Sequence, residues 1–376
     1  METQITAPRA KLRGGKLLLF RAAALALSLL AALLAGELLI RAVAPQQLQG
    51  QIFEWAPRGY LRNRANSVAR NVGGERSVYY RFNAQHLRGG PIGDGRVRVL
   101  ILGDSFTMGW LIEEQNTFVS KLARRAQAEF GTGAFEFINA ATGGWGTAEY
   151  LAMLEDSGDS FHPQVVVIFI GIADTLRASL TPLYRLDDPQ KLTVRATGYQ
   201  PPPGSRVKEL IKSCPGYLWL WEHSHLVQFL RRCAPREAEY FTMASTTQSA
   251  EPAPIDPDDH GIVLNKALFR AIHAWCAQRD IRLFVLTAWP AEQKFTPFFP
   301  DRNRINIAFR AQAEPFFREE GIEFFDSGNQ IAPVLETDLE KYRIPGDWHP
   351  SEAATTLIAE TVWPWLEPRL RAAARR

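Results

Sequence analysis

The sequence predicts an α/β protein, a parallel sheet covered by helices on both faces, carried behind one membrane-spanning helix. Three observations lead there. Val97 to Leu102 and Val165 to Ile170 (VVVIFI) are apolar runs of the kind a strand buried on both faces requires. Segments of helical spacing lie between and after them, and strands alternating with helices build a parallel sheet. Ahead of both, Leu17 to Ile40 reads LLLFRAAALALSLLAALLAGELLI, and about 20 mostly apolar residues suffice to cross a bilayer core. The 376 residues, 46% hydrophobic and 22% charged, suit one catalytic-sized domain with extensions better than two equal domains.

Taken in order, residues 1–16 form a basic tail, with Arg9, Lys11, Arg13 and Lys16 against Glu2 alone. Such a flank stays cytoplasmic by the positive-inside rule. The span over 17–40 has Arg21 near one end, able to snorkel to the interface, and Glu37 near the other. A soluble core helix would show a polar face, and residues 22 to 36 show only Ser28. A cleaved signal peptide competes, since Ala42-Val43-Ala44 resembles a cleavage site. Pro45 follows it directly, however, and Glu37 and Arg41 occupy the approach. The favoured reading is an uncleaved anchor, with everything after about Arg41 outside the cytoplasm.

Residues 41–95 read as a stalk that becomes a β-rich lead-in near SVYYRFNAQHLRG. The domain proper, 96–376, opens with the Val97 strand. A helix follows over Thr117 to Phe130, a short strand over Phe135 to Ile138, a helix over Thr147 to Leu154, and the Val165 strand. Residues 179–260 break the pattern as an insertion. YQPPPGSR and STTQSAEPAPIDPDDHG flank an aromatic segment, CPGYLWLWEHSHLVQFLRRC, which holds a helix or two. Alternation resumes with a helix from Leu264 to Gln278, a strand from Arg282 to Thr287, a helix from about Asn303 to Glu319, and a strand from Ile322 to Phe325. A last helix runs from Pro350 to about Leu370.

Four stretches carry candidate chemistry. Gly103-Asp104-Ser105 ends the first buried strand, which puts Ser105 at the carboxyl edge of the sheet, where ligands of open α/β sheets bind. A serine hydroxyl becomes a nucleophile once a neighbouring base takes its proton. Asp347-Trp348-His349 lies just ahead of Pro350 and the last helix. A carboxylate two residues from an imidazole can orient it and stabilise its cation. The loop NAATGGWGTAEY from Asn139 offers glycines, Gly144 among them, whose backbone N–H groups can hold an oxyanion. FIGIADTL, ending the third strand, supplies Asp174. Each stretch also has a plain structural reading as a turn, a solvated loop or a helix lead.

Together and in this order, the four stretches resemble the SGNH/GDSL hydrolase superfamily, over about Arg96 to Arg177 and Leu264 to Leu370. The resemblance implies a three-layer α/β/α, flavodoxin-like fold. It implies a Ser105–His349–Asp347 triad, an oxyanion hole from the N–H groups of Ser105 and Gly144, and a pocket with Asp104, Asn139, Trp145, Asp174 and Trp348 as candidates. FNAQHLRG, Phe82 to Gly89, is similar to the lead-in of membrane-anchored bacterial members, which implies a single-pass inner-membrane protein with a periplasmic domain. Two positions depart from the family pattern. Asp347-Trp348-His349 stands for the commoner Asp-x-x-His, as in some exported members related to polysaccharide acetylation. Ala173 stands where the family places an oxyanion asparagine; Asn139, Thr142 and Thr107 are the nearby substitutes.

The expected function is an extracytoplasmic serine esterase acting on small acyl, such as acetyl, esters of a glycan or small molecule. An O-acyltransferase using the same triad is the alternative, and a catalytically weak glycan-binding or assembly protein the rival, favoured by Ala173. Trp110, Trp145, Trp289 and Trp348 lie near the motifs, and aromatic faces suit sugar rings. A net charge of +3 is too small to imply a nucleic-acid partner. No metal-ligand spacing or dinucleotide fingerprint is present, so no cofactor is expected. Of Cys214, Cys233 and Cys276, the first two are the expected pair if a disulfide forms; three buried free thiols are the equal alternative.

Overall fold

The computed structural model describes residues 14–73, 75–181, 183–188, 191–194, 210–211, 214–233, 259–295 and 300–375. Most of the basic tail and the Pro-rich and polar ends of the insertion lie outside them. A long helix, α1 (Gly14–Val43), leads. It is the one helix among the described residues long and apolar enough to cross a membrane.

Two short antiparallel hairpins follow: β1 (Phe53–Trp55) with β2 (Leu61–Asn63), and β3 (Ser67–Gly73) with β4 (Arg76–Phe82). Strand β4 alternates buried Val78, Tyr80 and Phe82 with exposed neighbours, the period of a half-covered strand. No free stalk precedes them: Leu48 and Ile52 are already buried, and Gly50 donates to the Arg70 carbonyl. These apolar side chains give the segment a face to bury, so it lies on the domain instead of extending from it.

The central sheet is parallel and five-stranded. Its strands are β5 (Val97–Gly103), β6 (Phe135–Asn139), β7 (Val165–Ile170), β10 (Arg282–Thr287) and β11 (Glu323–Phe325), in spatial order β11-β10-β7-β5-β6. This is the flavodoxin-like order, in which ligands bind where the strand sequence reverses. Here that point lies between the carboxyl ends of β5 and β7.

Alternation along each strand splits the core into two layers. Leu100, Leu102, Val166, Ile168 and Val285 point to one face. There they meet α4 (Thr147–Ser157), α8 (His260–Ala277) and α9 (Pro300–Glu319). Val99, Ile101, Val167, Phe169 and Leu286 point to the other, against α3 (Phe118–Phe130), α10 (Ser327–Thr337) and α11 (Glu352–Ala373). The fold is therefore three-layered α/β/α. Helix α10 was not expected from sequence; it is short and interrupted by Pro333.

Between β7 and α8 lie α5 (Asp174–Leu180), a small hairpin of β8 (Tyr184–Asp188) and β9 (Lys191–Val194), and two nine-residue helices, α6 (Pro215–His223) and α7 (His225–Cys233). All three cysteines are free thiols: Cys214 precedes α6 and Cys233 ends α7, both exposed and unpaired, and of the three only Cys276 is buried.

The two insertion helices attach to α1. The Glu37 carboxylate accepts hydrogen bonds from Ser224 Oγ at 2.7 Å, His225 N at 3.0 Å and Leu226 N at 2.9 Å. It thereby satisfies N–H groups that a helix start leaves without partners.

Candidate active site

Strand β5 ends at Gly103, and the chain turns directly into a single helical turn, α2 (Ser105–Met108). Gly103 has to be glycine: a Cβ there would fall 2.2 Å from Thr107 Oγ1. The buried Asp104 side chain caps the turn, accepting from Phe106 N at 2.9 Å. Ser105 is thus the second residue past the strand and the first of α2, and it is 7% exposed.

His349 comes from the other end of the chain. Its loop is closed by hydrogen bonds from Ile344 N to the His349 carbonyl and from Asp347 N to the Ile344 carbonyl, both 2.9 Å. Ser351 then caps α11 through Ala354 N. The result is a line of three groups. His349 Nε2 lies 2.9 Å from Ser105 Oγ, and Nδ1 lies 2.5 Å from Asp347 Oδ1. Asp347 Oδ1 also accepts from His349 N at 3.0 Å, and Oδ2 from Trp110 Nε1 at 3.1 Å.

Burial pushes the Asp347 carboxyl up, but the bonds from His349 and Trp110 outweigh it and hold the group below the usual carboxylate value. Asp347 is therefore an ionised acceptor, so the imidazole proton belongs on Nδ1. That leaves Nε2 bare and facing the serine hydroxyl. The ring is also wedged, edge-on to Phe106 at 5.3 Å and tilted against Trp110 at 5.7 Å.

Trp110 is itself anchored. Arg88, almost fully buried, donates to the carbonyls of Met108, Gly109 and Ile112. Tyr80 OH accepts from Leu111 N at 2.5 Å. Gly109, at φ +83, ends α2 in the left-handed region, and a Cβ there would meet Arg88 Nη1 at 2.8 Å. The lead-in hairpin thus holds the loop that holds Asp347. Sequence reasoning had placed Trp110 only as a sugar-stacking candidate. Its indole N–H gives it this second role, and no local signal paired it with Asp347, which lies 237 residues away.

Gly144 adopts φ +85, a conformation costly for residues with a Cβ. Among the described residues, no acceptor pairs with the N–H of Ser105 or of Gly144. Ala173 precedes α5 and brings no side-chain donor. The N-terminus of α5 is capped from outside, by Asn306 Oδ1 on α9, which accepts from Thr175 N at 3.0 Å and Leu176 N at 3.3 Å.

Of the three residues expected as substitutes for the missing asparagine, Asn139 is engaged: it donates to the Thr107 carbonyl at 3.2 Å and accepts from Ala141 N. Thr142 is buried, and Thr107 Oγ1, buried against Gly103, has no hydrogen-bond partner among the described residues.

Beneath the serine lies an ionic cluster with no counterpart in the sequence reading. Arg177 Nη1 donates to Asp104 Oδ2 at 2.9 Å and lies 3.8 Å from Asp174 Oδ1. Asp174 Oδ2 accepts from Tyr150 OH at 2.7 Å and Gly171 N at 2.8 Å. Burial, then the Asp104 charge, push the Asp174 carboxyl up to about 7 against the pull of Arg177. Asp104 and Asp174 therefore support the sheet edge from below and do not line an open pocket.

Two of the four tryptophans are core residues: Trp145 donates to the Leu61 carbonyl, and Trp289 to that of Phe295. Both are buried in the helix layers, which removes Trp145 from the pocket. Trp348 is 42% exposed beside His349, with the Arg343 guanidinium 4.2 Å from its ring centre.

A hydroxyl, an imidazole and a carboxylate in one hydrogen-bonded line, at the strand-order reversal of a parallel sheet, form the arrangement of a serine hydrolase. The match to a family model is more specific. The chain belongs to the GDSL-like lipase/acylhydrolase family, whose model matches residues 101–357, and it is a serine ester hydrolase. No curated protein matches it.

Similar solved structures include an acetylxylan esterase from Geobacillus stearothermophilus, 14% identical, covering 72% of this chain and 94% of that one with a TM-score of 0.40. TesA is 15% identical, covering 72% and 98% with a TM-score of 0.42. An alpha/beta hydrolase from the metagenome of Lake Arreo, Spain, is 13% identical, covering 75% and 96% with a TM-score of 0.41. The family assignment rests on the sequence match.

Proposed function

We propose that the protein is a membrane-anchored esterase whose domain lies outside the cytoplasm. It removes small acyl groups, such as acetyl, from a glycan through Ser105, His349 and Asp347. The observation that carries this is the 2.9 Å contact between His349 Nε2 and Ser105 Oγ, made across 244 residues of chain. His349 takes the Ser105 proton as Oγ attacks the acyl carbonyl carbon. The N–H groups of Ser105 and Gly144 hold the oxyanion. The tetrahedral centre collapses, the bond to the leaving alcohol breaks, and His349 returns the proton to that oxygen. Water repeats the sequence and frees the acid. Asp347 keeps the imidazole in the productive tautomer throughout.

Trp348, exposed one residue from the base, supports a ring-shaped substrate such as a sugar. The basic flank of α1 supports an extracytoplasmic domain. Glu37 supports a retained anchor, because cleavage near Ala44 would strip α7 of its cap.

A fluorophosphonate probe tests the reading. The intact protein is expected to hydrolyse p-nitrophenyl acetate, to lose that activity on labelling, and to carry the label on Ser105. Label elsewhere with activity lost, or hydrolysis untouched by the probe, would refute it. Adding xylo- or chito-oligosaccharide tests transfer: acetyl-sugar formed in place of free acetate would assign the O-acyltransferase reaction to the same site. Because Asn306 already caps α5, an asparagine at 173 keeps its amide free for the oxyanion. Ala173→Asn is expected to raise kcat by about 10², the worth of one donor; steady-state kinetics on p-nitrophenyl acetate read it directly.

A further inference from the structure

The insertion helices carry apolar side chains that remain exposed among the described residues. Trp219 is 60% exposed, Leu220 41% and Leu230 55%. Their position relative to α1 says what covers them. At 1.5 Å per residue, the 30 residues of α1 are about 45 Å long, close to the full thickness of a bilayer with its headgroups. Glu37 lies six residues before the end at Val43, about 9 Å from it along the axis. That is near the boundary between hydrocarbon and headgroups on the far side.

The start of α7 is bonded to Glu37 at this depth. It is also pressed against α1 at Gly36, where a Cβ would fall 3.2 Å from Leu226 Cδ2. Leu230 is one helical turn beyond Leu226 and continues the same face. Trp219 and Leu220 lie on α6, which leads directly into α7. Arg231 stacks its guanidinium 3.2 Å from the centre of the Trp221 ring, and Arg232 follows it. Tryptophan and arginine around an apolar face are the composition of a membrane–water interface.

We propose that α6 and α7 lie in the headgroup layer of the bilayer that α1 crosses, with Trp219, Leu220 and Leu230 among the lipids. This rests on the reading of α1 as a retained anchor. The occupant is lipid because the face begins at a point fixed to the span itself. The consequence is functional: the active site is held at one height and tilt above the membrane instead of swinging on a tether.

The test uses full-length protein with Cys214→Ser and Cys233→Ser, leaving the buried Cys276. Single cysteines carry an NBD fluorophore at Leu220→Cys or Leu230→Cys, at Leu27→Cys inside the span, and at Val68→Cys on the exposed face of β3. The variants are reconstituted in vesicles of phosphatidylcholine and phosphatidylglycerol, with and without nitroxide-labelled lipids. The labels at 220 and 230 are expected to shift to the blue and to be quenched by the lipid nitroxide nearly as strongly as the label at 27, while that at 68 responds only to aqueous iodide. Quenching at 27 without quenching at 220 and 230 overturns the proposal and leaves the anchor standing. Labels at 220 and 230 shielded from both quenchers would mean a protein, a second copy included, covers the face, and would overturn it too. No quenching at 27 removes the anchor and the proposal with it.

Discussion

Ser105→Ala lowers turnover of p-nitrophenyl acetate by about 10⁶-fold, and Asp347→Asn by about 10⁴-fold. Far-ultraviolet circular dichroism is expected to be unchanged in both. The two numbers differ because the residues do different things. Without the Ser105 hydroxyl no acyl-enzyme forms, and the residue of activity comes from whatever the two backbone donors do for direct attack by water. Without the Asp347 charge the nucleophile and base remain. An asparagine amide, however, can donate to His349 Nδ1, which drives the proton to Nε2 and turns the base's lone pair away from Ser105. The double variant Ser105→Ala, His349→Ala is expected to be no slower than Ser105→Ala alone, since the groups act as a unit. Trp110→Phe removes only the bond at Asp347 Oδ2 and costs about 10-fold, in line with the net worth of one hydrogen bond to a charged group. A Ser105→Ala protein within tenfold of the native rate would move the nucleophile elsewhere.

The parts of this site legible in the sequence are those whose cause is local. Val97–Leu102 and Val165–Ile170 read as strands because a strand buried on both faces is mostly apolar, Arg98 being the one charged residue in the two runs. Ser105 and His349 were found because each sits where an element ends, next to a glycine or a helix-starting proline. What stayed illegible depends on distant partners. The β-rich lead-in was expected at SVYYRF, where a strand runs, but the segment before it, expected as a stalk, is polar on average, and Ile52 there is buried against Val78, Tyr80 and Met108, which lie far along the chain. Asn306 replaces a local helix cap from a helix more than 130 residues away, so Ala173 could not reveal that its helix start is satisfied. Arg177 did leave a trace, being three residues after Asp174 on a helix. Its second partner, Asp104, lies on another strand end.

That cluster sets the largest effect on stability. Asp104 and Asp174 are fully buried, while Arg177, 27% exposed at the side chain, is the only cation paired with either among the described residues. Arg177→Met leaves the Asp104 carboxylate buried without its cation beside the Asp174 carboxyl, and breaking a buried pair in this way costs about 3–5 kcal/mol. For a domain of this size Tm is expected to fall by roughly 6–20 °C, as read by thermal circular dichroism of the protein in detergent. Arg177→Met with Asp174→Asn removes the second buried carboxyl beside Asp104 and is expected to recover part of that loss; an equal loss in both would show that Arg177 serves by packing alone. The pH dependence has a definite sign. The Asp174 carboxyl is raised to about 7 in the fold from an ordinary 3.8, so between those values the folded chain holds a proton that the unfolded chain has released. Its contribution to stability is full below about 3.8 and is lost as pH rises through about 7. Asp347 runs the other way: its depressed value contributes stability above the ordinary carboxylate range, lost as acid titrates it. The two carboxyls belong to separate networks, Asp347 bonded to His349 and Asp174 to Tyr150, Gly171 and Arg177. Deleting Arg177 should therefore steepen the loss of stability toward alkaline pH and leave the acid limb, governed by Asp347, where it was.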